Sequence, residues 1–261
     1  MNLTIKELQN IETEIIKEIS EICKENHIDY FLHCGSVLGA IRHGGPIPWD
    51  TDVDIIIPYN QYNNFIQTVR KEISGKFYID YYDDNVSYPE LFARVGLKGY
   101  STNILHVDLF KLVGITSNVK KQKLYTRKAR FFRVLYMPRK RTEEYFGKMS
   151  FKSKFIFRLL SIISLPFSDK WIISRFEKHC GSIPFEKAEF VTNPSGHYGM
   201  KNVLPKYYYG KGKYVEYSGI KVKVPEKYHE YLMNYYGDYM KLPSITERKV
   251  EPSYKITRVF E

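Results

Sequence analysis

Three carboxylates at alternate positions, Asp50, Asp52 and Asp54, run directly into Ile55, Ile56 and Ile57. In an extended segment successive side chains point to opposite faces, so this spacing aims all three acids the same way. Such a cluster resists its own ionisation. Two like charges about 4 Å apart repel by roughly 4 kcal/mol at an effective dielectric near 20, and a cation or a raised pKa must relieve them. Hard oxygen ligands of this kind favour Mg²⁺ or Mn²⁺ over zinc. The chemistry that fits is metal-dependent phosphoryl transfer, in which phosphate oxygens are neutralised while a carboxylate accepts a proton. The bland alternative is a solvated acidic strand end. A calcium loop opening D-x-D-x-D is ruled out, because the sixth position is Ile55 where Gly is needed and the twelfth is Gln61 where Glu is needed.

The elements around these acids must position them. Tyr30 to Leu32 reads as a short strand, Gly35-Ser36 as a tight turn, and Val37 to Arg42 as a helix capped by Ser36. The first N–H groups of that helix are expected to be open to an anion, which makes Gly35, Ser36, Arg42 and the neighbouring His43 candidates for holding a donor phosphate. A further carboxylate, Asp108, sits in the apolar run Val107 to Phe110, a second short strand. Arg94 and Lys98 precede it and read equally as phosphate-neutralising cations or as a solvated surface pair.

The run Gly35-Ser36-Val37-Leu38-Gly39-Ala40-Ile41-Arg42-His43, followed by Ile47-Pro48-Trp49-Asp50 and Asp52-Val53-Asp54-Ile55, resembles the signature of the LicD family. A second stretch resembles the family's ending: Gly219 to Pro225, Tyr231-Leu232, Tyr236-Gly237-Asp238-Tyr239-Met240 and Leu242-Pro243. Two departures stand out. Thr51 replaces the middle acid of the usual triplet, and Val113 stands where the family carries a second acid after the Asp108 strand. The resemblance implies an α/β nucleotidyltransferase-type mixed sheet flanked by helices, with Asp50, Asp52, Asp54 and Asp108 as metal ligands and Asp52, Asp54 and Asp108 as the catalytic acids. It implies a transferase moving phosphocholine or a related phospho-alcohol from a CDP-activated donor to a sugar hydroxyl of a glycan such as teichoic acid, lipopolysaccharide or capsule. The superfold analogy sets Asp108 toward the incoming hydroxyl, as general base.

The remaining chain supplies scaffold and charge. Leu8, Ile11, Ile15, Ile19 and Ile22 recur at helical spacing and predict an amphipathic helix from about Thr4 to Asn26. Asn60 is expected to cap a helix reaching about Ile73, with strands at 76–82 and 90–97. A helix begun by Pro225 is expected to end at Gly237. The 261 residues, 43% apolar, are enough for one catalytic domain, read as a core over 1–114, a basic helical insertion over about 115–180 and a C-terminal part over about 181–261. The 23 tyrosines read as an interior margin, ring packed and hydroxyl wet. Cys23, Cys34 and Cys180 form neither a disulfide framework nor a CxxC site, and with no apolar leader or 20-residue apolar run this predicts a cytoplasmic protein.

Between Lys120 and Arg158 fourteen Lys and Arg face only Glu143 and Glu144, so this segment holds a charge equal to the chain's whole net +11 and one more. It adjoins the apolar run Phe155 to Phe167, broken by Arg158. That pairing suits an interfacial helix at an anionic membrane surface, where each basic residue adds roughly 1 kcal/mol; a solvated basic helix packed on the core is the plain alternative. A basic stripe alone does not specify nucleic acid. Two rival functions stay open: a strict nucleotidyltransferase, which would release pyrophosphate where phospho-alcohol transfer releases CMP, and a non-catalytic basic module. The four acids argue against the latter, since a binder of polyanions gains nothing from them.

Overall fold

The structure is a computed structural model that describes residues 1–83, 88–140, 151–248 and 250–258. Strand β1 (Asn2–Leu3) leads into α1 (Ile5–Glu25), followed by β2 (Phe31–Leu32), α2 (Cys34–His43), β3 (Val53–Pro58), α3 (Tyr59–Glu72), β4 (Phe77–Asp80), β5 (Ala93–Leu97) and β6 (Val107–Ile115). Three helices come next, α4 (Val119–Lys140), α5 (Phe151–Ser164) and α6 (Asp169–Cys180). The chain then forms β7 (Phe190–Thr192), β8 (Leu204–Pro205), β9 (Lys213–Tyr217), β10 (Ile220–Val224), α7 (Tyr228–Tyr236) and β11 (Tyr254–Lys255).

Among the described residues the main sheet has seven strands in the order β2-β3-β6-β5-β4, with β7 on β6 and β8 on β7. It is mixed: β3 and β6 run parallel, and the other pairs are antiparallel. Both expected layers of an α/β protein are present. The Ile55-Ile56-Ile57 run and the whole of β6 are buried, as a central strand covered on both faces requires.

Helix α1 starts as expected. The Thr4 hydroxyl accepts from the Glu7 N–H while Glu7 accepts from the Thr4 N–H, a reciprocal cap that satisfies two otherwise orphaned donors. Its apolar face packs toward α3 and β10. Two boundaries differ from the sequence reading. Asn60 lies inside α3, which begins at Tyr59 after Pro58, and α7 begins at Tyr228 after Lys227, three residues beyond Pro225. Gly237 does end α7, in the left-handed region at φ 66°, its N–H donating to the Met233 carbonyl.

A second apolar cluster ties the helices after β6 to the sheet: Val113 and Ile115 meet Phe132, Leu135 and Tyr136 of α4 and Ile172 and Phe176 of α6. Helix α5 instead exposes Phe155, Ile156, Leu159, Ile162 and Ile163, one face at helical spacing. Among the described residues no helix is long and apolar enough to cross a membrane. Of the basic stretch, Arg141, Glu143, Glu144 and Lys148 lie outside the described residues.

Candidate active site

The sheet register brings four charged residues into one row. Asp54 of β3 stands opposite Asp108 of β6, Asp108 opposite Arg94 of β5, and Arg94 opposite Asp80 of β4. Residues in register on neighbouring strands project from the same face, so this row crosses four strands on one side. Arg94 donates from Nε to Asp108 Oδ1 at 2.7 Å and from Nη1 to the Thr102 carbonyl at 3.3 Å. His106 Nε2 lies 3.4 Å from the same Asp108 oxygen.

Asp54 is the sole member of the acidic triplet that belongs to the strand; Asp50 and Asp52 precede β3 in a loop. Period-two alternation therefore does not align them. The loop does so instead, because Gln9 of α1 donates its side-chain amide to the Ile47 and Asp50 carbonyls, both at 2.9 Å, and the Asp50 N–H closes a turn on Ile47. Asp50, Asp52, Asp54 and Asp108 all line one cavity of about 1110 Å³, with Gly35, Arg42, Arg94 and His106. Gly35 packs closely there: a Cβ would stand 3.0 Å from Asp50 Oδ2 and would push on that carboxylate.

Burial and mutual repulsion set the electrostatics. Burial, then Asp52, pushes Asp50 up to about 7. Asp54 is raised well above the carboxylate range by burial first and by Asp52, Asp108 and Asp50 next, with Arg94 pulling the other way. Burial also raises Asp108, against the pull of Arg94. Burial opposes the Arg94 charge, yet Asp108, Tyr88 and Glu90 outweigh it and hold the guanidinium protonated. Neutral His106 follows from burial and from Arg94 beside it. Among the described residues no three His, Cys, Asp or Glu side chains stand close enough together to hold a metal ion as placed.

Behind these acids lies Glu12, fully buried, both oxygens without a hydrogen-bond partner, and raised by burial and then by Asp52 and Asp50. Sequence reasoning passed over it. The signal was there, since Glu12 falls four residues after Leu8 and four before Ile16, an acid at a core position of an amphipathic helix.

The expected helix start is corrected. Helix α2 begins at Cys34, with no side-chain cap, and Ser36 lies inside it. The Ser36 hydroxyl accepts from the Asp54 N–H at 2.8 Å, so it fixes the strand that carries the acid. Two of the first N–H groups are engaged within the protein: Cys34 N–H donates to the Tyr231 hydroxyl and Ser36 N–H to the His33 carbonyl. Cys34 has φ 42°, a left-handed strain for a residue with a Cβ, and it is held there by buried partners. His33, buried and lowered to about 3, contacts Asn193 through Nε2 and Tyr231 through Nδ1.

Gly35 and Arg42 face the cavity; His43 and Ser36 are not in its described wall. His43 packs edge-on against Trp49 and its Nε2 accepts from Arg42 Nε at 3.0 Å. Arg42 also donates to the Tyr239 carbonyl at 2.8 Å, which joins the N-terminal motif to the C-terminal one. Tyr236, Asp238, Tyr239 and Leu242 thereby form the far wall. Lys98 is exposed and outside it.

A family model described as LicD/FKTN/FKRP, nucleotidyltransferase domain, matches residues 27–174, which include the four acids and Arg94. The lipopolysaccharide cholinephosphotransferase LicD of Haemophilus influenzae is 26% identical over 262 residues, covering 95% of both chains. Two uncharacterized proteins match short stretches: one of Rickettsia typhi, 39% identical over 21% of this chain and 18% of its own, and one of Rickettsia prowazekii, 43% identical over 16% of each. With the family match spanning more than half its length, this chain belongs to the LicD family.

Proposed function

We propose that this protein transfers phosphocholine or a related phospho-alcohol from a CDP-activated donor to a sugar hydroxyl of a cell-surface glycan. The observation that carries the reading is the Asp54-Asp108-Arg94 row opening, with Asp50 and Asp52, into one cavity. The full-length similarity to a lipopolysaccharide cholinephosphotransferase supports the substrate class.

The chemistry of the donor set suits a hard divalent cation. Asp50 and Asp54 are raised by burial and by neighbouring acids, a repulsion that a cation relieves, and the donors are carboxylate oxygens. Asp50, Asp52 and Asp54 would hold Mg²⁺ or Mn²⁺, and the ion would neutralise phosphate oxygens of the donor.

The chain's own residues do the rest. Asp108 takes the proton of the acceptor hydroxyl; its oxygen attacks the phosphorus bearing the alcohol, the bond to the CMP phosphate breaks, and CMP leaves. Arg94 and His106 both approach Oδ1 and so fix the orientation of the Asp108 carboxylate. The exposed apolar row of α5 beside basic α4 favours work at an anionic membrane surface from the cytoplasmic side.

Incubation with Mg²⁺, an acceptor glycan and CDP-choline, CDP-glycerol or CDP-ribitol tests the reading. Release of CMP with one donor, abolished by EDTA and restored by Mg²⁺ or Mn²⁺, is expected. Pyrophosphate release from CTP would mark a nucleotidyltransferase, and full turnover in chelator would remove the metal. The membrane role predicts sedimentation with phosphatidylglycerol vesicles at low salt and release as the Debye length falls from about 10 Å at 0.1 M to about 3 Å at 1 M. Equal sedimentation with phosphatidylcholine vesicles would contradict it.

A further inference from the structure

A second cavity, of about 650 Å³, lies between α4 and the loop over residues 193–202. Its α4 wall carries Lys123, Arg127, Arg130 and Arg133, and among the described residues no Asp or Glu lines it. The first three recur at intervals of four and three and are exposed, so they form a cationic stripe on one helix face. From Lys123 to Arg133 that stripe covers about 15 Å of helix. Arg133 is buried and donates to the Gly196 carbonyl at 3.2 Å, with its guanidinium also 3.3 Å from His197 Nδ1. The facing loop is thereby pinned, and His197 lines both this groove and the cavity of Asp108.

We infer that this groove binds the anionic part of the acceptor, a phosphorylated saccharide segment, and leads its hydroxyl past His197 to Asp108. The inference rests on the transferase reading given above and names where the acceptor lies. Three features support it together. Three exposed cations with no acid among the described residues of the wall select for negative charge, guanidinium forks match phosphate oxygens in pairs, and the shared His197 places the groove next to the reacting centre. A donor diphosphate, by contrast, belongs with the carboxylates across that wall, where a divalent cation fits.

The test is a binding measurement that needs no turnover. The probe is a fluorescent dextran oligosaccharide carrying phosphate monoesters, compared with the same oligosaccharide unphosphorylated, titrated with the full-length protein at fixed ionic strength. Two double variants remove the same charge from α4: Arg127→Gln/Arg130→Gln inside the groove and Lys121→Gln/Lys128→Gln on exposed positions outside it. The groove variant is expected to bind the phosphorylated probe at least tenfold more weakly and with a shallower salt dependence, while the outer variant stays within about twofold of wild type and the unphosphorylated probe binds to none of them. Equal weakening by both variants would reduce the effect to net charge and overturn the proposal. Displacement of the probe by CDP would assign the groove to the donor and overturn it as well. Probe binding that follows this pattern without CMP release from any donor would leave the groove standing and sink the transferase reading; CMP release without probe binding would do the reverse.

Discussion

Strand β6 carries a buried charge on each of its faces, and the two are treated in opposite ways. Lys111, on one side, reaches Glu177 of α6 and the Leu91 carbonyl, and it sits 4.9 Å from the centre of the Tyr62 ring and 5.4 Å from those of Tyr81 and Tyr82. Burial works against its charge, but Glu177, with Tyr62 and Cys180 behind it, more than offsets that. Asp108, three residues earlier and so on the other side, pairs with Arg94 yet is raised by burial, and together with Asp52 and Asp50 it pushes Asp54 up further. A closed, balanced pair inside the protein is architecture, here fastening α6 to the sheet. An unbalanced cluster opening into a cavity holds charge in readiness for something that is not protein.

The largest effect expected from breaking this contrast is on the acid face. Asp108→Asn keeps the shape and removes the proton acceptor, so transfer should fall roughly 10²- to 10⁴-fold while calorimetric donor binding with Mg²⁺ survives. Near-normal turnover would remove the base assignment, and lost donor binding would make Asp108 a ligand of the metal.

A smaller effect is set by pH. His33 anchors the start of α2, and the unfolded chain takes up its proton near 6.5 whereas the folded one does so at about 3. Between these values the unfolded state holds more protons, so stability is complete above 6.5 and declines as pH falls, by about 1.4 kcal/mol per unit from this group. Urea midpoints for wild type and His33→Asn between pH 7 and 5 should show a steeper decline in wild type; parallel curves would show that His33 is not the titrating group. Smallest of all should be the loss in Lys111→Met/Glu177→Leu, within about 1 kcal/mol of wild type, since an apolar pair replaces a buried ionic one at little cost. A loss as large as that of either single change would mean the pair is needed for more than fastening.

That these acids would gather in one cavity was legible in the sequence, because carboxylates beside an isoleucine run have few structural uses. Their arrangement was less so. Asp50 and Asp52 face the cavity through a loop held by Gln9, and Arg94 meets Asp108 through the register of β5 on β6, neither of which spacing along the chain encodes. Ser36 looked like a cap because Gly-Ser commonly opens a helix, yet the fold starts α2 at a strained Cys34 that Tyr231, from the far end of the chain, holds in place. Long-range contacts of this kind decide what a local pattern leaves open.

Transfer rate and thermal midpoint, measured side by side on Asp54→Asn and Glu177→Ala, test the contrast most directly. Asp54→Asn should lose transfer while its midpoint stays at or above that of wild type, because removing one of several repelling carboxylates relieves strain. Glu177→Ala should transfer at near wild-type rate below its transition, yet unfold about 6–12 °C earlier, as expected when a buried charge loses its partner at a cost of about 3 kcal/mol or more. Normal transfer by Asp54→Asn, or a midpoint lowered as far as that of Glu177→Ala, would contradict the account.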